Sequence, residues 1–302
     1  MISVKTRPGL RCYMNLGTME GLGNFPNKSL ALIREAGYQG VQFILPPSAE
    51  MLREARSMGL GVCGSGRVNV PGEAEFLARQ ARDENLECLT LHVGWGIEDD
   101  DNCARLIEDV LNASAKYEIP LYPETHRATI FQDIWRTVQF VNRFPQLRFN
   151  GDFSHWYTGS EFIYGGFERK FEFLRPVMER VRFLHGRIGN PGCIQVDIGD
   201  GESTRHPYVQ HFRELWTAVF SSFLANEPNL DFFCFAPELL PATIYYARTC
   251  NGQEESDRWQ QSLVLARIAQ ECFKDAQVKT RSTDDVLGNL EISPSTSSGN
   301  FN

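Results

Sequence analysis

The chain has 302 residues, 42% hydrophobic and 23% charged, enough for one large α/β barrel or two smaller domains. Its net charge of -8, pI near 5.4 and mean hydropathy of -0.31 describe an acidic soluble surface that repels phosphate backbones, which argues against a nucleic-acid partner. No apolar stretch approaches the roughly 20 residues of a membrane helix, so no membrane association is expected.

The N-terminal MISVKTRPGLRCYMN lacks the uninterrupted apolar run of a secretory leader, which points to a cytoplasmic protein and leaves the N-x-S matches at Asn27 and Asn112 unglycosylated. From there short apolar runs alternate with longer amphipathic ones. The predicted strands are RCYMNLG (11–17), GVQFIL (40–45), LGVCGS (60–65), ECLTLHVG (87–94), PLYPET (120–125), LRFNGDF (147–153), VRFLHGRI (181–188) and DFFCFAPE (231–238). Between them, KSLALIREAGY, SAEMLREARSMG, GEAEFLARQARDEN, DNCARLIEDVLNASAKY and IFQDIWRTVQFVNRF carry apolar residues at three- and four-residue spacing, as helices do. Eight strands with intervening helices predict a single-domain (β/α)8 TIM barrel over 1–278, followed by a flexible tail over 279–302 rich in Ser, Thr, Asn and Gly. A Rossmann fold is disfavoured because no strand leads into a G-x-G-x-x-G turn. The eight cysteines form no CxxC pair and several lie in apolar runs, so they read as reduced, buried thiols.

In a barrel of this kind the active site lies at the C-terminal strand ends. Strand four ends on His92, strand five on Glu124 followed by His126 and Arg127, and strand six on Asp152 followed by His155. Strand seven adds His185 and Arg187, and strand eight adds Glu238. Each has a bland alternative. Asp152 could cap the next turn, Glu124 could pair with Arg127, His185 could be a core histidine and Glu238 a first-turn acid. Convergence decides otherwise: four of the six histidines fall at these ends together with three carboxylates. Two glutamates, one aspartate and one histidine make a hard, oxygen-rich set suited to Mn²⁺ or Mg²⁺, with Zn²⁺, Co²⁺ or Fe²⁺ as further options. No cysteine stands at these ends, which argues against structural zinc.

The segments ETHR, DFSHW, HGRIGNPGCIQV and APE, in that order, resemble the xylose-isomerase-like TIM barrels over residues 10 to 275. The resemblance implies one divalent metal held by Glu124, Asp152, His185 and Glu238. It further implies that His155 contacts substrate or metal and Arg187 contacts substrate, with His92, His126, Gln195 and Trp156 as further substrate contacts. The expected function is isomerisation or epimerisation of a sugar, ketose or polyol-like substrate by proton transfer through an enediolate, with Glu124 and Glu238 as catalytic acid and base. Alternatives are a metal-dependent dehydratase, another lyase, a hydrolase (including an endonuclease-like phosphodiesterase) or a non-catalytic ligand-binding barrel. Related barrels are often dimers or tetramers, so a homo-oligomer is admitted. Trp95, Phe153 and Trp156 are candidates for an apolar wall, and the Gly- and Asp-rich stretch 189–206 for a lid.

Overall fold

A computed structural model describes residues 8–22, 29–44, 46–202 and 206–290. Eight parallel strands form one sheet: β1 (Gly9–Asn15), β2 (Gly40–Ile44), β3 (Gly61–Val68), β4 (Leu89–Val93), β5 (Leu121–Pro123), β6 (Phe149–Gly151), β7 (Val181–Gly186) and β8 (Phe232–Pro237). Their order is β5-β4-β3-β2-β1-β8-β7-β6. The two outer strands, β5 and β6, meet through one parallel bridge, Glu124 to Asn150, where the Thr125 N–H also donates to the Asn150 carbonyl at 3.1 Å. That bridge closes the sheet into the expected (β/α)8 barrel.

The helices α1 (Ser29–Glu35), α2 (Ala49–Ser57), α3 (Glu73–Asp83), α4 (Asp100–Tyr117) and α5 (Ile134–Arg143) alternate with β1 to β6. After β6 come three short helices, α6 (Phe153–Gly159), α7 (Phe167–Phe173) and α8 (Arg175–Met178); α9 (Pro207–Asn226) follows β7, and α10 (Arg258–Leu290) follows β8. Local chemistry sets several boundaries. Asp99 and Asp133 each accept the backbone N–H three residues on, from Asn102 at 2.8 Å and Arg136 at 2.7 Å, which satisfies donors that a helix start leaves open. Along α4, Cys103, Leu106, Ile107, Val110 and Ala113 are buried, the stripe that its sequence spacing predicts.

Strands covered by helices outside and by side chains inside are buried on both faces, and all six residues of β7 are. Inside the barrel, Tyr13, Cys63, Cys88, Phe183, Cys234 and Ala236 form a small cluster apart from the main core. All eight cysteines are free thiols; six are buried, whereas Cys193 is half-buried and Cys250 exposed. A cleft of about 400 Å³ opens beside the start of β5, lined in part by Leu121, Tyr122, Leu147, Arg148 and Arg182, at the opposite end from the polar strand ends.

Two expectations shift. β1 begins and ends two residues early because the Asn15 side chain accepts the Gly17 N–H at 2.8 Å, turning the chain into a 3-10 turn over Leu16–Met19. Of the stretch expected to be a flexible tail, the part up to Leu290 continues α10, and 291–302 lies outside the described residues.

One buried side chain locks the turn after β1 to α10. The Arg258 guanidinium donates to the carbonyls of Thr18 and Glu20, both at 2.6 Å, and its Nε to Glu254 at 2.7 Å. Arg258→Met therefore leaves those carbonyls without their donors, and we expect a loss of about 2–4 kcal/mol in unfolding free energy by urea titration. A loss under about 0.5 kcal/mol would show that the clamp is ornamental.

Candidate functional site

Glu124, Asp152, His185 and Glu238 each leave the end of a neighbouring strand, and each offers an atom so that all four lie within 4.8 Å of one another. His185 Nδ1 is 3.1 Å from Glu124 Oε2 and 3.4 Å from Glu238 Oε2. Ligands of one octahedral ion at about 2.1 Å sit about 3 Å apart, so each of these two separations is close to that of a pair of ligands on one cation.

Amide side chains one layer below hold the imidazole. The His185 backbone N–H donates to Asn150 Oδ1 at 3.0 Å, which fixes that amide and turns its Nδ2 toward both Glu124 Oε2 and His185 Nδ1, each at 3.0 Å. On the other side, His185 Nε2 lies 3.0 Å from Gln42 Oε1, which also accepts from Asn15 Nδ2 at 2.9 Å, while Gln42 Nε2 donates to Thr90 at 2.8 Å. This chain makes Nε2 the protonated nitrogen and Nδ1 the lone pair facing the carboxylates, the usual arrangement behind a metal-ligating histidine. Burial disfavours charge on His185, but Glu238 and Glu124 outweigh it and raise its pKa to about 9. We read both facts together: Nδ1 is where a proton or a metal ion meets the demand of the carboxylates for positive charge.

The carboxylates divide. Burial pushes Glu124 up, but the His185 and His92 imidazoles beside it hold it well below the usual carboxylate range. Its Oε1 is buried without any hydrogen-bond partner, the kind of orphaned acceptor that a cation or a substrate donor would satisfy. Burial raises Glu238, whose Oε1 accepts from Asn15 Nδ2 at 3.0 Å and whose Oε2 accepts from Arg187 Nη2 at 2.8 Å. Asp152 does two jobs with two oxygens. Oδ1 accepts from the Ser154 backbone N–H at 3.0 Å and caps α6, while Oδ2 pairs with the guanidinium of Arg187. The cap that the sequence allowed is therefore present, and the second oxygen is left to a cation, here the Arg187 guanidinium.

The fully buried Arg187 bridges Asp152 and Glu238, and its Nε reaches Ser154 at 3.1 Å. Three imidazoles run along the neighbouring wall in tilted contact: the His92 and His126 ring centres are 4.0 Å apart, and those of His126 and His155 3.8 Å. Burial holds His155 well below its ordinary pKa and His126 down to about 3, so both are neutral at physiological pH. His92, Glu124 and His126 also offer atoms within 4.8 Å of one another.

Two expected substrate contacts lie elsewhere. Trp156 is 1% exposed and its indole N–H donates to the Phe131 carbonyl at 2.9 Å, so it belongs to the core, as Phe153 does. The Gln195 amide exchanges hydrogen bonds with the backbone of Leu240, at 3.1 and 2.9 Å, and thus ties the stretch after β7 to the stretch after β8. Of the stretch 189–206 named as a lid, 203–205 lie outside the described residues, and the rest is anchored by buried Ile194, Val196 and Ile198. The remaining histidine of α9, His211, stacks on Phe167 at 3.8 Å and meets the Tyr157 hydroxyl at 2.8 Å, a packing role.

Sequence inspection missed Asn15, Gln42, Asn150, Arg67 and Tyr246. The last comes from the segment between β8 and the hairpin β9 (Thr249–Cys250) and β10 (Gln253–Glu254); its hydroxyl meets His126 Nε2 at 3.0 Å. Only the position of Asn150, two residues before Asp152 in a buried run, gave a usable signal.

No protein-family model matches the chain, and no curated protein does. Solved structures do. A structure named as the probable 3-DHS dehydratase AsbF of Bacillus anthracis superposes with TM-score 0.54 at 10% identity, covering 86% of this chain and 97% of that one. A xylose isomerase domain protein from Planctomyces limnophilus gives 0.53 at 15% identity, covering 92% and 100%. A xylose isomerase-like TIM barrel protein from Mycobacterium smegmatis, in complex with magnesium, gives 0.52 at 13% identity, covering 90% and 100%. At these identities the likeness establishes the fold alone, a (β/α)8 barrel.

Asp152→Ala removes one of the two carboxylates that pair with the buried Arg187 and uncaps α6, so it should cost about 3 kcal/mol of stability by chemical denaturation. Asp152→Asn should cost about 1 kcal/mol less, because the amide oxygen still caps. Equal losses in the two variants would remove the cap from the account.

Proposed function

We propose that the protein is a divalent-metal-dependent isomerase or epimerase that moves a proton beside the carbonyl of a small sugar, ketose or polyol-like substrate. The carrying observation is the cluster at consecutive strand ends: four ligand atoms within 4.8 Å, with one buried glutamate oxygen left unpartnered. The donor set fits Mn²⁺ or Mg²⁺, bound by Glu124, Asp152, His185 and Glu238. Such an ion supplies charge stabilisation to the oxygen that becomes negative when the neighbouring carbon loses its proton. The fold shared with the magnesium-bound barrel of Mycobacterium smegmatis supports this choice.

The chain's own groups perform the proton transfer. Glu124, from β5, is the base, since its Oε1 has no competing donor. Glu238 reaches in from β8, three strands further round, with 13% of its side chain exposed, and returns the proton. Return to the opposite face of the same carbon gives an epimer; return to the neighbouring carbon gives an isomer. His155, which is neutral, and His92 orient substrate hydroxyls, while Arg187 fixes Asp152 and Glu238 in direction. Trp95, 53% exposed at the mouth, offers the one apolar wall that survives from the three aromatics considered.

Calorimetric titration of the wild type with Mn²⁺ should show one site, weakened about 100-fold or more in Glu124→Gln and Asp152→Asn. In deuterated water a ketose panel should exchange its C–H adjacent to the carbonyl, and Glu124→Gln and Glu238→Gln should slow exchange about 10²–10⁴-fold. Metal bound with no exchange on any ketose would hand the same carboxylates to a dehydratase or hydrolase. Unaltered metal content in both ligand variants would leave a ligand-binding barrel instead.

A further inference from the structure

With a divalent ion in place, the inner cluster balances its own charge: Glu124, Asp152 and Glu238 face Arg187 and the ion, three negative charges against three positive. Just outside lie two guanidinium groups that this balance does not use. Arg67, at the end of β3, donates through Nη1 to the Gly94 carbonyl at 2.9 Å, approaches His92 Nδ1 at 3.3 Å and lies 4.2 Å over the Trp95 ring. Arg127, exposed after β5, lies 4.9 Å over the Tyr246 ring, which Arg187 approaches at 4.7 Å. Tyr246, His126 and His92 connect the two arginines, through the 3.0 Å contact of Tyr246 with His126 and the tilted contact of the His126 and His92 rings, 4.0 Å between centres.

Neither Arg67 nor Arg127 forms an ion pair with a carboxylate among the described residues. Glu98, the carboxylate on the Trp95 loop, is engaged by the backbone N–H groups of Trp95, Gly96 and Ile97 at 2.8, 2.8 and 3.0 Å. A guanidinium has five donors in a planar fork; Arg67 commits two of them and Arg127 none to any hydrogen bond described above. In a chain of net charge -8, two such forks over the mouth are a local reversal of sign.

We propose that Arg67 and Arg127 form a subsite for an oxyanion carried by the substrate, a carboxylate or a phosphate, so that the substrate is an acidic or phosphorylated polyol rather than a neutral sugar. The inference deepens the proton-transfer reading and rests on it for the position of the reacting carbon. Distance limits the substrate's size. His92 touches Arg67 on one side and lies 3.5 Å from Glu124 Oε2 on the other, so only a few bonds separate the anionic group from that carbon. Fork-to-oxyanion pairing then fixes the register of the chain of hydroxyls over the cluster, which a ring of neutral hydroxyl contacts does less sharply.

The test uses matched probes on the Mn²⁺-loaded protein by calorimetry at low salt: D-gluconate against D-glucitol, and D-fructose 6-phosphate against D-fructose. We expect one anion to bind about tenfold or more tightly than its neutral partner, and the preference to vanish in Arg67→Met/Arg127→Met. Preference for gluconate identifies a carboxylate, and preference for fructose 6-phosphate a phosphate. If neither anion is preferred, or the preference survives in the double variant, the subsite does not exist. Mn²⁺ binding is measured on the same samples. A wild type that takes no Mn²⁺ defeats the metal reading, whereas one that takes Mn²⁺ without preferring an anion defeats this inference alone.

Discussion

Three carboxylates within a few ångströms of one another, two buried and one half-buried, are unstable unless positive charge is brought to them, and that requirement organises the top of the barrel. Burial of an uncompensated ion costs several kcal/mol even after relaxation. Here the compensation comes from two elements of one strand end: Arg187 bridges Asp152 and Glu238, and His185 faces Glu124 and Glu238. The same strand thus supplies both cations, and β7 lies between the strands whose acids it serves, β6 and β8. The third acid, Glu124, comes from the far side of the seam. Its oxygen Oε1 is the part of the demand that protein groups leave unmet.

That seam couples fold to chemistry. β5 and β6 have three residues each and are joined in register by the Glu124–Asn150 bridge, so the residue pair that closes the barrel is also the pair proposed as the base and its amide support. Asn150 accepts from β7, donates to Glu124 and faces His185, and so holds three strand ends in one register.

Much of this was legible from sequence because the relevant signals are coarse. Alternating apolar runs give eight strands; acids and histidines at run ends give Glu124, Asp152, His185 and Glu238. Among the amides only Asn150, two residues before Asp152, carried a signal; Asn15 and Gln42 lie at the end of a strand or within one, and their importance depends on which neighbour each faces across the sheet. Register decides that, and register is a property of paired strands. Arg67 was invisible for the same reason. Trp156, a candidate apolar wall in the sequence, belongs to the core instead. Along α6 successive side chains point about 100° apart, so the neighbour of an inward histidine turns to the core. Gln195 misled differently, since its place in a resemblance motif reflects loop anchoring here.

Asp152 shows why stability and chemistry cannot be read separately at this site. One of its oxygens stabilises the first turn of α6, and the other balances Arg187 within the cluster. A substitution there removes a helix cap, a counter-charge and a proposed ligand in a single change. Loss of activity alone would therefore say little about coordination. Glu124 is the cleaner probe, because its Oε1 carries no structural hydrogen bond and glutamine preserves its size while Asn150 keeps a partner at the neighbouring atom. The informative difference between the two positions is the part of each carboxylate that the fold does not already use.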